Sequence, residues 1–292
     1  MKSRSISSLP ATIAIAAALV FGAFSSSAAV TYSVGDLLLG FHTDAGVGSG
    51  TSFVFNLGSA ASYKTTPGAV PVVNDLSAVL TSTYGNDWFS RTDLYWGIAG
   101  VRDASAAGST RVIDGDARAT NYISRAASAP GASAAWSLAS GSMVISSAVS
   151  IATMQGATGP DLALVGGFEG ATEAAGTSGR GVLQHEGTTL NSWDEFNPVN
   201  GNAFGNIFTG GIQGPLGTGS TAYLDLYRVV GRSASTATPT DPVGQGRYIT
   251  TFALNSQGLI ATTPVPEAGA GLAAALVGCG AILRRRRKGK KL

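Results

Sequence analysis

Apolar positions along the chain fall in short alternating or continuous runs, and most of those runs predict strands. Tyr32 to Phe41 (YSVGDLLLGF) and Ser52 to Leu57 (SFVFNL) read as two strands separated by the Gly-rich turn Asp44 to Gly50. Leu94 to Val101 (LYWGIAGV) is continuously apolar, the pattern of an inner strand covered on both faces. Ala222 to Val230 alternates, with Tyr223, Asp225 and Tyr227 on one side and Leu224, Leu226 and the Arg228 stem on the other. Arg247 to Leu254 (RYITTFAL) is β-branched and aromatic and closes on the turn Asn255 to Gly258. The Thr-, Pro- and Gly-rich stretch from Ser233 to Gly246 joins these last two runs, which predicts a hairpin with a long connection.

Helical spacing is rarer. Asn74 to Tyr84 predicts a short helix: Asn74 can cap it, Leu76, Val79, Leu80 and Tyr84 share one face, and Gly85 stands where a helix stops. Met143 to Met154 fits a second helix, and its Ile, Val and Ser content fits a strand equally well. Asp194 to Gly219 is rich in Gly, Asn and Pro with scattered Phe and Trp, and reads as a long surface loop or irregular structure. No internal repeat stands out at periods of about 20 to 50 residues, which argues against a solenoid or propeller.

The two ends break the pattern. Lys2 and Arg4 precede an uncharged apolar run of 14 residues, Ala11 to Phe24, and Ser27-Ala28-Ala29 then supplies small residues at the −3 and −1 positions. This is the order of a secretory signal peptide, residues 1–29, with cleavage between Ala29 and Val30. At the other end Pro264-Val265-Pro266-Glu267 is stiff and extended, because each proline fixes its own φ and pushes its predecessor out of helix. Ala268 to Leu283 is 16 residues without a charge, and Arg284, Arg285, Arg286, Arg287 and Lys288 open a basic tail. As a helix the apolar segment reaches roughly 24 Å, short of a bilayer core near about 30 Å. A marginal span with a strong positive stop suits a segment that a membrane enzyme recognises and removes.

The order Val265-Pro266-Glu267, apolar segment, Arg cluster resembles the PEP-CTERM sorting signal of Gram-negative bacteria, over residues 263–292. The usual second proline is Ala268 here. The resemblance implies processing by an exosortase, a membrane-embedded transpeptidase, in an organism that makes exopolysaccharide. The blocks YSVGDLLLGF, LYWGIAGV and YLDLYRVV also look like segments of uncharacterised ectodomains attached to such tails. The expected fold class is therefore mainly β. It is a β-sandwich-like ectodomain, residues 30–262, with one or two short helices, flanked by an N-terminal signal helix and a C-terminal transmembrane helix.

Charge changes the picture once the ends are set aside. The whole chain carries +2, but residues 30–263 hold ten Lys and Arg against 16 Asp and Glu, a balance of −6. Lys64 is the single lysine of that span, so the clustered cations that nucleic-acid binding needs are missing. The one cysteine, Cys279, lies in the apolar tail, which leaves the body without a disulfide, a thiolate nucleophile or a cysteine metal site.

Catalytic patterns are also missing. No Gly-x-Ser-x-Gly occurs, and only two histidines, His42 beside Asp44 and His185 beside Glu186, could act as bases. Gly217-Thr218-Gly219-Ser220-Thr221-Ala222 satisfies the loose dinucleotide pattern but runs into a strand rather than a helix. Asp114-Gly115-Asp116 lacks the further oxygen ligands of a calcium loop and reads as a turn with two solvated acids. Asp194-Glu195 beside Trp193 is the closest approach to a glycosidase pair, or to a sugar-contacting loop.

The sequence thus leads to an exported structural or adhesive protein of the cell surface or extracellular matrix. It is not expected to be an enzyme and needs no cofactor or metal. Its expected partners are signal peptidase, the Sec export machinery, an exosortase-type transpeptidase and exopolysaccharide, and the membrane through the C-terminal helix before processing. A carbohydrate-binding module is the alternative, with Trp88, Trp96, Trp136 and Trp193 as its aromatics, and a secreted hydrolase is the third reading.

Overall fold

A computed structural model describes residues 32–33, 35–65, 75–102, 112–113, 115–133, 138–154, 172–174, 177–185, 193, 212–217, 219–231 and 243–263. Both expected terminal helices and the expected cap Asn74 lie outside the described residues.

In chain order the strands are β1 (Asp36–Thr43), β2 (Thr51–Ser59), β3 (Leu94–Arg102), β4 (Val112–Ile113), β5 (Asp116–Ala117), β6 (Thr120–Ala127), β7 (Thr172–Glu173), β8 (Gly181–His185), β9 (Gln213–Pro215), β10 (Thr221–Val229), β11 (Gly246–Asn255) and β12 (Ile260–Thr263). Among the described residues the helices are α1 (Ala60–Thr65), α2 (Ser77–Tyr84) and α3 (Gly141–Met154), with a 3-10 turn at Trp88–Ser90. Ten strands form one antiparallel sheet in the order β12-β11-β10-β6-β3-β1-β2-β8-β7, with β9 added on β3. The expected mainly β class with few helices is what the molecule has. Where a sandwich would hold two large separately bonded sheets, ten of the twelve described strands are joined into one curled sheet, and β4 and β5 form a separate two-stranded pair.

The curl follows from contacts between distant strands. Four strands separate β2 from β11 in the sheet, yet Tyr63, in the helix that leaves β2, packs its ring 5.2 Å from that of Phe252 in β11. The Leu76 N–H, just before α2, donates to the Gly258 carbonyl beyond β11 at 3.1 Å. The space so enclosed is filled by one apolar core: Leu37, Leu39, Phe41, Phe53, Phe55, Trp96, Ile98, Leu224, Leu226, Phe252 and Leu254 from the strands, with Tyr63, Leu80, Tyr84 and Trp88 from the covering segments.

Alternate residues of the same strands face the other way and build a second core. Leu38, Val54, Ala99, Val101 and Ile123 meet Val144, Ala148, Ile151 and Ala152 of α3. That spacing settles the helix-or-strand ambiguity of this segment, since positions i, i+4, i+7 and i+8 make one helical face. Ser140 receives the Met143 N–H at 3.3 Å at the start of α3, and Asn121 on β6 donates its side-chain amide to the Val144 carbonyl at 2.8 Å.

One irregularity shapes the sheet. β3 pairs β6 only through Ala99 to Arg102, while its Tyr95–Gly97 portion pairs β9. Ser124 fills the fork: its hydroxyl accepts the Ile98 N–H at 2.7 Å and donates to the Ile212 carbonyl at 2.6 Å. The strand β9 lies within the segment expected to be loop, where its Gly and Pro hid it.

Candidate functional site

The cleavage pair Ala29 and Val30, the motif Val265, Pro266 and Glu267, and the stop Arg284 to Arg287 all lie outside the described residues. What the fold offers is the points at which those segments begin and end. Tyr32 is fully buried in the second core and its hydroxyl donates to the Val54 carbonyl at 3.4 Å. Burial, then the nearby Asp36 carboxylate, raises its pKa well above the ordinary tyrosine value. At the other end β12 pairs with β11, from Ile260 against Leu254 to Thr263 against Thr251, and among the described strands it is the outermost on that side of the sheet. No helix of the described residues is long and apolar enough to cross a membrane.

The tryptophans do not form an exposed row. Trp88, Trp96 and Trp193 are at most 3% exposed and belong to the two cores, and Trp136 lies outside the described residues. An indole is large enough that burying it stabilises the core more than surface display would. Trp193 lies in a slot that Gly40 and Gly97 leave open on the second face: a Cβ on Gly40 would stand 2.0 Å from the indole, and one on Gly97 3.3 Å away. Its N–H of the main chain donates to Gln184 Oε1 at 2.8 Å. Asp194, Glu195, Asp114 and Glu186 are outside the described residues.

The histidines are separated by β2 and, by strand alternation, face opposite sides of the sheet. His42 is buried, with Nε2 3.4 Å from Asp44 Oδ1 and its ring stacked on Tyr95. Ser52, one register step from the Phe41–Phe53 pair, lies across from His42. The row Ser52, His42, Asp44 has the residue types of a triad but not its bonding. The Ser52 hydroxyl is 1% exposed and makes no hydrogen bond, so neither base nor substrate reaches it. His185 is exposed, with Nδ1 3.2 Å from Thr51 Oγ1. The turn that carries Asp44 is held by Arg91, which donates to the carbonyls of Ala45 and Val47 at 2.6 Å and pairs with Asp93 at 2.7 Å. The hydrogen bond from Arg91 holds the Asp93 carboxyl below the usual carboxylate range.

Asp116 corrects the expectation of a solvated turn. Its side chain is 0% exposed, Oδ1 accepts Arg228 Nε at 2.7 Å and Lys64 Nζ at 3.0 Å, and Oδ2 accepts the Tyr122 hydroxyl at 2.7 Å. Two cations for one carboxylate make this an internal cross-link of β5, β6, β10 and α1 rather than a cation-binding turn. Burial, then the Asp116 carboxylate, raises the pKa of the Tyr122 hydroxyl well above its ordinary value.

Asp225 is also fully buried, and nothing in the sequence marked it beyond its face of β10. It accepts the main-chain N–H groups of Gly131 and Ser133, both at 2.9 Å, and the Thr251 hydroxyl. The segment after β6 is thereby strapped across β10 and β11. Gly217 to Ala222 runs into β10, not a helix, so the dinucleotide pattern has no structural context. Among the described residues no group of three or more His, Cys, Asp or Glu could hold a metal ion.

No protein-family model, curated protein or solved structure matches this chain.

Proposed function

We propose that the protein is exported, processed at both ends and delivered to the surface or extracellular matrix of a Gram-negative bacterium, where it serves as a structural or adhesive component. The observation that carries this is the C-terminal order of Val265-Pro266-Glu267, 16 uncharged residues and the Arg284 to Arg287 cluster, behind an N-terminal signal-peptide pattern. Tyr32, which stands two residues beyond the expected new N-terminus Val30, is a core side chain, so described core packing reaches close to the expected cleavage point.

The outer strand β12 stops at Thr263, and residues 264–267 span at most about 14 Å before the apolar segment starts. An exosortase-type transpeptidase acting at Pro266 and Glu267 would therefore work close against the folded body, and cutting there would free it from the membrane. The buried Asp116 cross-link and the two cores suit a durable scaffold; the hydroxyl and carboxyl groups described above do not assemble a nucleophile with a base.

Deleting residues 264–292 in the native organism tests the reading. The truncated protein is expected in the culture medium, while the intact chain stays with the cells or their matrix. Equal partition of the two would overturn the sorting role.

A further inference from the structure

The strand β12 is anchored at its start and loosely tied at its end. Ile260 is 3% exposed and belongs to the first core, opposite Leu254 of β11. Ala261 is exposed, and Thr262 and Thr263 are half-buried and belong to neither core. Two side-chain bonds add to the ladder at Thr263: its carbonyl accepts the Thr250 hydroxyl at 3.4 Å, and its own hydroxyl donates to the Thr251 carbonyl at 3.5 Å. Both are long against the usual O–H···O distance of about 2.7–2.8 Å. Pro264 follows, and without an N–H it cannot donate to the ladder. Unpairing Thr262 and Thr263 therefore withdraws no core side chain, while Ile260 keeps β12 attached.

This loosely tied end lies next to the expected cut. Thr263 is the fourth residue before the Pro266–Glu267 bond and Thr262 the fifth. From Thr263 to Pro266 the chain reaches at most about 11 Å. An enzyme that cuts a peptide bond holds the flanking residues extended in its own cleft, often through their main-chain groups. Main-chain groups that Thr263 spends on Thr251 of β11 are closed to such a cleft, and the edge of the sheet stands in its way.

We propose that Thr262 and Thr263 peel from β11 when the transpeptidase engages the chain, with Ile260 as the fixed end, and that this unpairing sets the rate of C-terminal processing. The inference rests on the sorting reading above and adds a regulation to it: the folded body restrains the cut at Pro266 and Glu267. Strand ends that carry few core contacts open far more readily than core strands, so the restraint slows the cut without forbidding it.

The test is pulse-chase labelling of C-terminal processing in the native organism, with the full-length chain and two variants. One carries Gly-Ser-Gly-Ser inserted between Thr263 and Pro264, which keeps β12 and the motif but moves the motif away from the pairing. The other is Thr262→Gly with Thr263→Gly, which keeps the spacing but weakens the end of the strand. Both are expected to be processed severalfold faster than the natural chain. Equal rates for all three chains, or faster processing of the insertion alone, would overturn the proposal, the second outcome because crowding by the body rather than pairing would then set the rate. Processing of none of the three overturns the sorting reading and this inference with it, whereas equal processing of all three overturns this inference alone.

Discussion

The indole of Trp193 lies directly on the backbone of Gly40, so close that a methyl group at Gly40 would stand 2.0 Å from the ring carbons Cδ2 and Cε2. Glycine is needed there for close approach, not for an unusual backbone angle. Gly40→Ala is expected to lower stability by about 1–3 kcal/mol, the cost of overpacking a filled core. Trp193→Ala leaves a cavity and costs about 3–5 kcal/mol. In the Trp193→Ala background the Gly40→Ala change should cost little, because the clash has gone. Urea unfolding of the two single variants and the double variant measures that coupling.

The Asp116 cross-link makes a second prediction. Its partners differ in exposure: the Arg228 side chain is 4% exposed and that of Lys64 21%. Asp116→Ala removes the carboxylate that both cations share and is expected to cost about 3–5 kcal/mol. Lys64→Ala leaves Asp116 paired with Arg228 and should cost about 1 kcal/mol or less. Comparable losses from the two changes would show that the network is not organised around the carboxylate.

Asp225 supports a prediction about dynamics. Asp225→Asn keeps the shape but turns an amide N–H₂ toward one of the main-chain donors that the carboxylate accepts. Hydrogen exchange at the Gly131 and Ser133 amides is expected to quicken, while exchange in β3 and β1 stays as it was. Protection retained at both amides would mean the strap is held by something other than this carboxylate.

The tyrosines set the alkaline limit. Burial pushes Tyr63 up to about 12, partly offset by Arg180, and burial likewise pushes Tyr248 up to about 12. Tyr32 and Tyr122 are raised further, by burial first in each case. A tyrosine whose pKa is higher in the folded state keeps its proton after the unfolded chain has lost one, so the unfolded state binds fewer protons and stability falls with rising pH. The contribution is fully present below about pH 10, the unfolded value. It is lost between there and about 12 for Tyr63 and Tyr248. Ultraviolet titration should show these groups ionising together with unfolding rather than near the ordinary tyrosine value.

Much of the fold was legible where one face of a strand contrasts with the other. The alternation of Ala222 to Val230 gave the correct sides: Leu224 and Leu226 enter the first core, while Tyr227 faces the second. The β10–β11 hairpin with its long connection is present in register from Thr221 against Asn255 to Val229 against Gly246. The β6 strand was missed because Thr120, Asn121 and Ser124 are buried polar residues whose partners lie far off in the chain, Ser124 bonding to Ile98 and Ile212. At the start of α2 the Asp75 carboxylate accepts the Ser77 N–H at 3.0 Å, a partner that the sequence pattern did not single out.

The central claim is that both ends are removed on the way to the cell surface, and the mass and terminal sequences of the protein taken from its own organism test it most directly. A species that begins at Val30 and ends at Pro266 is the predicted result. A species that retains Arg284 to Leu292 would contradict it and leave a body anchored permanently by its C-terminal segment.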